Sequence, residues 1–309
     1  MNDVIIVLPY SPIKIKVFYE IIENMMYVLS KNDIDYVIHF LNPDIVNEFS
    51  TEKLHIMYCA EVFKNHPKKF IAMQFEQLYA RLYHFPNSPY SEDYENYVLS
   101  IFKKAQYVFD YSYKNTEFLK EKNLKNVITV PYAFTPTLSI FKKPLNFIEK
   151  NIDILWYGNY CERRKNILDK FTGLENIKCK FEIENLWDNK IKELGEISHD
   201  KTDIVKKSKI VLNIKYDDPS YSILETPRII HAISNGCLVI SEYSSDTELN
   251  KELKENIILC HHSQMVNICL FYLRNSILLN KKIYESYNWL INNYKYYDKV
   301  PIDLINNLI

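Results

Sequence analysis

Glycine is scarce in this chain of 309 residues: Gly158, Gly173, Gly195 and Gly236 are its only four. A dinucleotide-binding GxGxxG turn needs three within six residues, and a phosphate-cradling loop needs GxxxxGK[ST]. Neither exists, which excludes the usual dinucleotide dehydrogenases, P-loop NTPases and protein kinases. Paired cysteine spacing is missing too. Cys59, Cys161, Cys179, Cys237, Cys260 and Cys269 form no CxxC, so they read as reduced, partly buried thiols of a cytoplasmic protein. Charge of one sign is also lacking: 38 Lys+Arg meet 39 Asp+Glu, for a net charge of −1. That balance argues against a dedicated nucleic-acid or anionic-membrane binder. The opening MNDVIIVLPY has no basic start and no long apolar run, so no signal peptide is expected. The apolar stretch at 265–279 is broken by Asn267, Arg274 and Asn275. It is too short and too polar to span a bilayer.

What the chain does have is a rhythm. Short apolar runs alternate with longer amphipathic ones, as in the βαβ units of a parallel sheet. The first half predicts strands at 4–8, 36–41, 55–59, 70–74, 107–110 and 127–130, with helices at 14–30, 94–104 and 113–122. The stretch 136–150 carries Pro136, Pro144, Lys142 and Lys143 without a clear period and reads as a linker. The second half predicts strands at 152–157, 179–183, 210–215, 238–241 and 257–259. Its helices are expected at 163–171, 200–207, 228–235, 246–253, 264–279 and 282–294. Two α/β domains follow, 1–135 and 151–309. Open parallel sheets bind ligands outside the carboxyl ends of their strands, so a central cleft between the two carboxyl edges is the expected site.

The residues just after each strand therefore matter most. The first domain presents Glu61 and Glu76 there. In the second, a buried strand ends at Gly158-Asn159 and a helix opens on Glu162-Arg163-Arg164-Lys165. A helix start attracts anions but disfavours cations, so consecutive basic residues need another reason. One is a bound diphosphate; the other is a solvated charged face. The run 209–248 reads strand, loop, helix, glycine turn, strand. There Glu225 stands just before a helix carrying Arg228, with Pro227 in the first turn. These two residues suit sugar hydroxyls and phosphate, or a simple capping pair. Asp217-Asp218 beside Pro219 reads as a turn. His261-His262 follows a predicted strand, and since adjacent side chains point apart in extended backbone, the pair is not expected to chelate a metal. His231 reads as a half-buried helix histidine. The aromatic stretch 79–97 reads as core plus loop, or as a sugar-stacking surface.

Five segments in order carry a resemblance. KIVLNIK…ILETPRIIHAISNGCLVISE within 206–248 and DILWYGNYCERRKNIL at 153–168 resemble the donor-binding region of GT-B fold glycosyltransferases, in the group-1-like family of bacterial and viral type. QFEQL at 74–78, YVFDYSYKN at 107–115 and VITVPYAF at 127–134 are similar to segments of the same family. The resemblance implies two Rossmann-like domains and transfer of a hexose or N-acetylhexosamine from a nucleotide-diphosphate sugar, UDP-linked, to a saccharide or glycoconjugate acceptor. It implies a metal-independent enzyme without cofactor, cytoplasmic, with no nucleic-acid partner and no membrane span, and it leaves peripheral membrane contact open.

By position, the resemblance puts Gly158, Asn159, Arg163 and Arg164 at the diphosphate. Asn213, Lys215, Glu225, Arg228 and His231 fall near the nucleotide or sugar. Arg163 is the expected catalytic cation. Glu76, with Glu61 in reserve, is the acceptor-side carboxylate of an inverting reaction; a retaining one needs no such base. Histidine at 231 departs from the glutamate that grips ribose in many relatives, because imidazole cannot accept two hydroxyls. That departure keeps a non-catalytic nucleotide- or sugar-binding module in play, and a nucleotide-sugar epimerase would share the fold.

Overall fold

The computed structural model describes residues 3–10, 12–78, 92–139, 150–159, 161–183, 201–216 and 218–309. Most of the aromatic stretch, most of the expected linker, Gly195 and Asp217 lie outside them. The chain divides into two units, Met1–Tyr132 with Tyr296–Ile309, and Ala133–Lys295.

Unit 1 holds β1 (Val4–Pro9), β2 (Tyr36–Leu41), β3 (Leu54–Tyr58), β4 (Phe70–Gln74), β5 (Tyr107–Asp110) and β6 (Val127–Thr129). They form one parallel sheet in the order β2-β1-β3-β4-β5-β6. Helices α1 (Pro12–Lys31), α2 (Glu92–Phe102) and α3 (Tyr113–Glu121) make crossovers. Strands β1, β3 and β4 are buried along their whole length, which is why they read as unbroken apolar runs rather than alternating ones.

Unit 2 repeats the plan. Strands β7 (Ile152–Gly158), β8 (Cys179–Ile183), β9 (Ser208–Asn213), β10 (Leu238–Glu242) and β11 (Ile258–Cys260) are all parallel, in the order β11-β10-β9-β7-β8. Its helices are α4 (Glu162–Leu168), a segment at 201–206, α5 (Thr226–Ser234), α6 (Thr247–Leu253), α7 (Met265–Arg274) and α8 (Ser276–Asn293). Ile154, Trp156, Ile210, Leu212, Leu238 and Ile240 pack with Met265, Leu279 and Ile283 into a core under α7 and α8.

Two features differ from the sequence reading. The expected helix at 264–279 is two helices, broken at Asn275 (φ −117°, ψ 69°). And the C-terminal stretch, read as part of the second half, belongs to unit 1. There Tyr296, Val300 and Ile305, the last on α9 (Ile302–Asn306), are buried. Within unit 1 the Tyr296 ring lies 6.0 Å from that of Tyr132. A short turn and a five-residue helix offer no apolar period long enough to reveal which core they join.

Candidate functional site

Each sheet reverses its winding once, between β1 and β3 in unit 1 and between β7 and β9 in unit 2. In open α/β sheets this switch point is where ligands sit, outside the carboxyl ends of the strands.

In unit 2 the two strands at the switch end at Gly158 and Asn213. Gly158 has φ +148°, and a Cβ there would lie 3.0 Å from Arg228 Nη2. The glycine thus lets the guanidinium approach the backbone. The chain then enters α4, capped by Cys161, whose Sγ accepts from the Arg164 N–H at 3.5 Å. The consecutive arginines have a physical reason, since each meets a carboxylate brought from elsewhere in the unit. Arg163 pairs with Glu242 at the end of β10, through Nη1 to Oε2 at 2.9 Å and through Nη2 to Oε1. Its Nη1 also donates to the Lys215 carbonyl at 2.8 Å. Arg164 pairs with Glu225 at 3.0 Å and donates to the carbonyls of Ile214 and Asn159, both at 3.0 Å. Its guanidinium carbon sits 5.5 Å from the Trp156 ring and 5.3 Å from the Tyr216 ring, within cation–π range.

Arg228, in the first turn of α5, closes the group. It pairs with Glu225, donates from Nη1 to Asn213 Oδ1 at 2.8 Å and lies 5.2 Å from the Tyr157 ring. Its Nε is buried with no hydrogen-bond partner among the described residues. Asn213 in turn donates to Ser241 Oγ at 2.9 Å, across the register that pairs the two residues. Lys215 is fully buried and its ammonium donates to the Ile223 carbonyl at 2.7 Å. Burial lowers its pKa to about 8 against the attraction of Glu225 and Glu242, with Arg228 and Arg164 adding to the fall. Burial alone would raise the Glu225 carboxyl, but Arg228, Arg164 and Lys215 outweigh it and hold the group below its ordinary value.

The structure therefore brings together Gly158, Asn159, Arg163, Arg164, Asn213, Lys215, Glu225 and Arg228, all nominated from the sequence. It adds Glu242, which stood at a predicted strand end but was not singled out. The residues differ in exposure. Arg164 and Lys215 are buried and committed to protein acceptors, whereas the Arg163 side chain is 27% exposed. Four cations (Arg163, Arg164, Lys215 and Arg228) face two carboxylates, which favours an anion. His231, one turn further along α5, is buried and lies 3.2 Å by Nε2 from Thr202 Oγ1.

In unit 1 Cys59 adopts the left-handed conformation (φ 52°, ψ 49°) immediately after β3, and a 3₁₀ turn, Ala60–Val62, carries Glu61. A non-glycine residue there stores strain, and it stands at the switch point of that sheet. Glu76 follows β4. Its carbonyl accepts from Asn115 Nδ2 and Gln74 Nε2, both at 2.8 Å. Asn115 also donates to the buried carboxylate of Asp110, at 3.3 and 3.1 Å, which accepts the Ser112 N–H at 2.8 Å. The motif YVFDYSYKN is thus a polar brace beneath the Glu76 loop.

The other candidates are resolved locally. Asp218 caps a turn, accepting from the Ser220 N–H at 2.8 Å. His261 and His262 follow β11, where the sequence places them, with ring centroids 4.1 Å apart. The rings are close but tilted by 39° rather than pointing apart, and His261 Nδ1 accepts from the Ser263 N–H at 3.3 Å. Among the described residues no cluster of His, Cys, Asp and Glu is arranged to hold a metal, and no helix is long and apolar enough to cross a membrane.

By sequence, no family model and no curated protein matches this chain. By structure it is similar to WaaG, a glycosyltransferase involved in lipopolysaccharide biosynthesis, at TM-score 0.62 and 10% identity over 99% of each chain. It is similar to HepE of Anabaena in complex with UDP and glucose at TM-score 0.64 and 9% identity, over 100% of this chain and 99% of that one. TarM gives TM-score 0.54 and 12% identity over 84% of this chain and 55% of its own, so this chain spans about half of TarM. Two parallel α/β sheets, each switched between its first and third strands, together with these likenesses, show that the chain has the fold of the GT-B glycosyltransferases.

Proposed function

We propose that this protein is a glycosyltransferase that takes a sugar from a UDP-linked donor held at the β7/β9 switch point. The observation that carries the reading is the excess of positive charge there. Arg163, Arg164, Lys215 and Arg228 outnumber Glu225 and Glu242, and the partly exposed Arg163 faces an edge where a diphosphate would balance them. Glycosyl transfer builds negative charge on the departing diphosphate. Cations fixed in advance and aimed at that charge are an efficient device for stabilising it. In this reading Arg163 and Arg228 meet the diphosphate. Arg164 and Lys215 act from below, holding Glu225 and the loop that ends in it. The likeness to HepE, which carries UDP and glucose, supports the donor class. Arginines and helix N–H groups supply the charge that a metal would otherwise supply, so the reaction is proposed to be metal-independent. An inverting reaction would draw its base from unit 1, at Glu76 or Glu61; a retaining one would not need it. The acceptor is a hydroxyl of a saccharide or glycoconjugate.

A second reading has one observation in its favour. His231 is buried against Thr202, where a ribose-gripping carboxylate was expected from the family resemblance. A nucleotide-binding module without turnover would tolerate that change. Thermal unfolding with a panel of UDP-, GDP-, CMP- and dTDP-sugars separates the readings, followed by donor hydrolysis and acceptor-dependent transfer. A ligand at 100 times its Kd stabilises by about 2.7 kcal/mol. Stabilisation by UDP-sugars with turnover supports the transferase; stabilisation without turnover supports the binding module. Interconversion of free donor without acceptor marks an epimerase, and no response to any nucleotide overturns all three.

A further inference from the structure

Glu242 is 1% exposed at the carboxyl end of β10. A carboxylate buried this deeply is costly unless fully paired, and this one is. Its Oε2 accepts the Lys215 backbone N–H at 2.8 Å and Arg163 Nη1 at 2.9 Å, and its Oε1 accepts Arg163 Nη2. The second Nη1 hydrogen of Arg163 goes to the Lys215 carbonyl at 2.8 Å. A guanidinium has five N–H donors in a planar fork. Glu242 and Lys215 take three of them, all at the end formed by Nη1 and Nη2. The two that remain, Nε–H and the outer Nη2–H, lie side by side on the other edge. They have no acceptor among the described residues, and the side chain is 27% exposed. Two parallel donors on one edge match two oxygens of a phosphate or carboxylate.

We propose that Glu242 is the positioning residue of this site: by gripping one edge of Arg163 it fixes the other edge toward an anionic ligand, a diphosphate oxygen of the donor. The inference rests on the donor-site reading given above and adds to it the residue that aims the cation. Glu242 touches no ligand itself. It acts through Arg163, and that separates it from a residue that merely ties β9 to β10.

Isothermal titration of the wild-type protein with UDP, then steady-state kinetics of Glu242→Gln, Arg163→Ala and the double variant, test it. The amide keeps the volume of the carboxylate but cannot accept on both oxygens. The expected result is a kcat about ten- to a hundredfold lower for Glu242→Gln, with the Kd for UDP changed less than about threefold, because aim matters more in the transition state than in the bound ground state. On the Arg163→Ala background, Glu242→Gln should change nothing further, since the two residues act as one unit. Wild-type kcat in Glu242→Gln overturns the proposal, and so do effects that multiply in the double variant. If Glu242→Gln does not fold, Arg163→Lys takes its place. It keeps the charge but loses the second edge, so kcat should fall about tenfold or more while UDP affinity holds; unchanged kcat overturns the proposal. A wild-type protein that binds no UDP sinks the donor-site reading itself, and Glu242 then has nothing to aim at.

Discussion

Gly158 carries two constraints at one backbone position: a φ of +148° and an Arg228 guanidinium that a Cβ would meet at 3.0 Å. Gly158→Ala should cost roughly 1–3 kcal/mol from backbone strain and also shift Arg228. Melting temperature and UDP affinity should fall together, and a variant that melts like wild type with unchanged affinity would show that neither constraint matters. Lys215 gives a prediction in pH. Its pKa is lowered to about 8, so the cost of burying its charge applies below that value and is relieved as pH rises toward its ordinary value. The fold therefore loses nothing from Lys215 between pH 7 and 9.5, but the site loses one positive charge. Donor affinity should drop roughly tenfold through pH 8, and Lys215→Met should lack that inflection in a titration of affinity against pH. The arginines and Glu225 were legible in the sequence because they lie in the segments after strands, where chemistry collects in this class of fold, and Asn213 through the family resemblance. Their division of labour was not. Nothing in ERRK says that Arg163 faces outward while Arg164 is buried between Trp156 and Tyr216. Glu242 was hidden for the same reason, because an acidic residue ending an apolar strand reads as the point where the chain meets water.

Elements were more legible than side chains, because parallel strands covered on both faces must be apolar throughout. Strand β4 is such a run and lies where the pattern picks it out; the less covered β2 and β8, and β5, also occupy their predicted stretches. The helix break at Asn275 escaped because the apolar spacing continues across it: Met265 and Cys269 before, Leu279 and Ile283 after, all enter one core. The local signal was the pair Asn275-Ser276. Asn275 Nδ2 donates back to the Phe271 carbonyl at 2.6 Å, a competition with helix bonding that short polar side chains favour. The same chemistry opens α3. Ser112 caps it, accepting from the Asn115 N–H at 3.2 Å, and the Asn115 amide bridges Asp110 to the Glu76 carbonyl. Asn115→Ala should cost about 1–3 kcal/mol, since it strips donors from a buried carboxylate. Chemical denaturation would register that as a lower midpoint; an unchanged midpoint would mean that Asp110 is satisfied without Asn115.

At the scale of the whole molecule, the contacts sort the chain by core rather than by sequence order. The arginine and carboxylate group lies wholly between Gly158 and Glu242, inside unit 2, while Tyr296–Ile309 completes unit 1. Tyr296 and Ile305 are fully buried there, and Val300 nearly so. Removing a large buried aromatic typically costs about 3–5 kcal/mol, and a buried isoleucine about 2–5. A chain truncated after Lys295 therefore loses about 5–10 kcal/mol from these two side chains alone, a large share of an ordinary domain's margin of roughly 5–15 kcal/mol. Unit 1 should open, and limited proteolysis should cut within residues 1–132 long before it reaches the second sheet. Unit 2 keeps its own five strands and its whole ion group, so UDP should still protect it from heat and protease. Two results would count against this division. If the truncated chain loses UDP protection while unit 2 stays folded, the nucleotide needs residues from unit 1. If unit 1 resists protease without its tail, the buried tyrosine and isoleucine are not what holds its core closed.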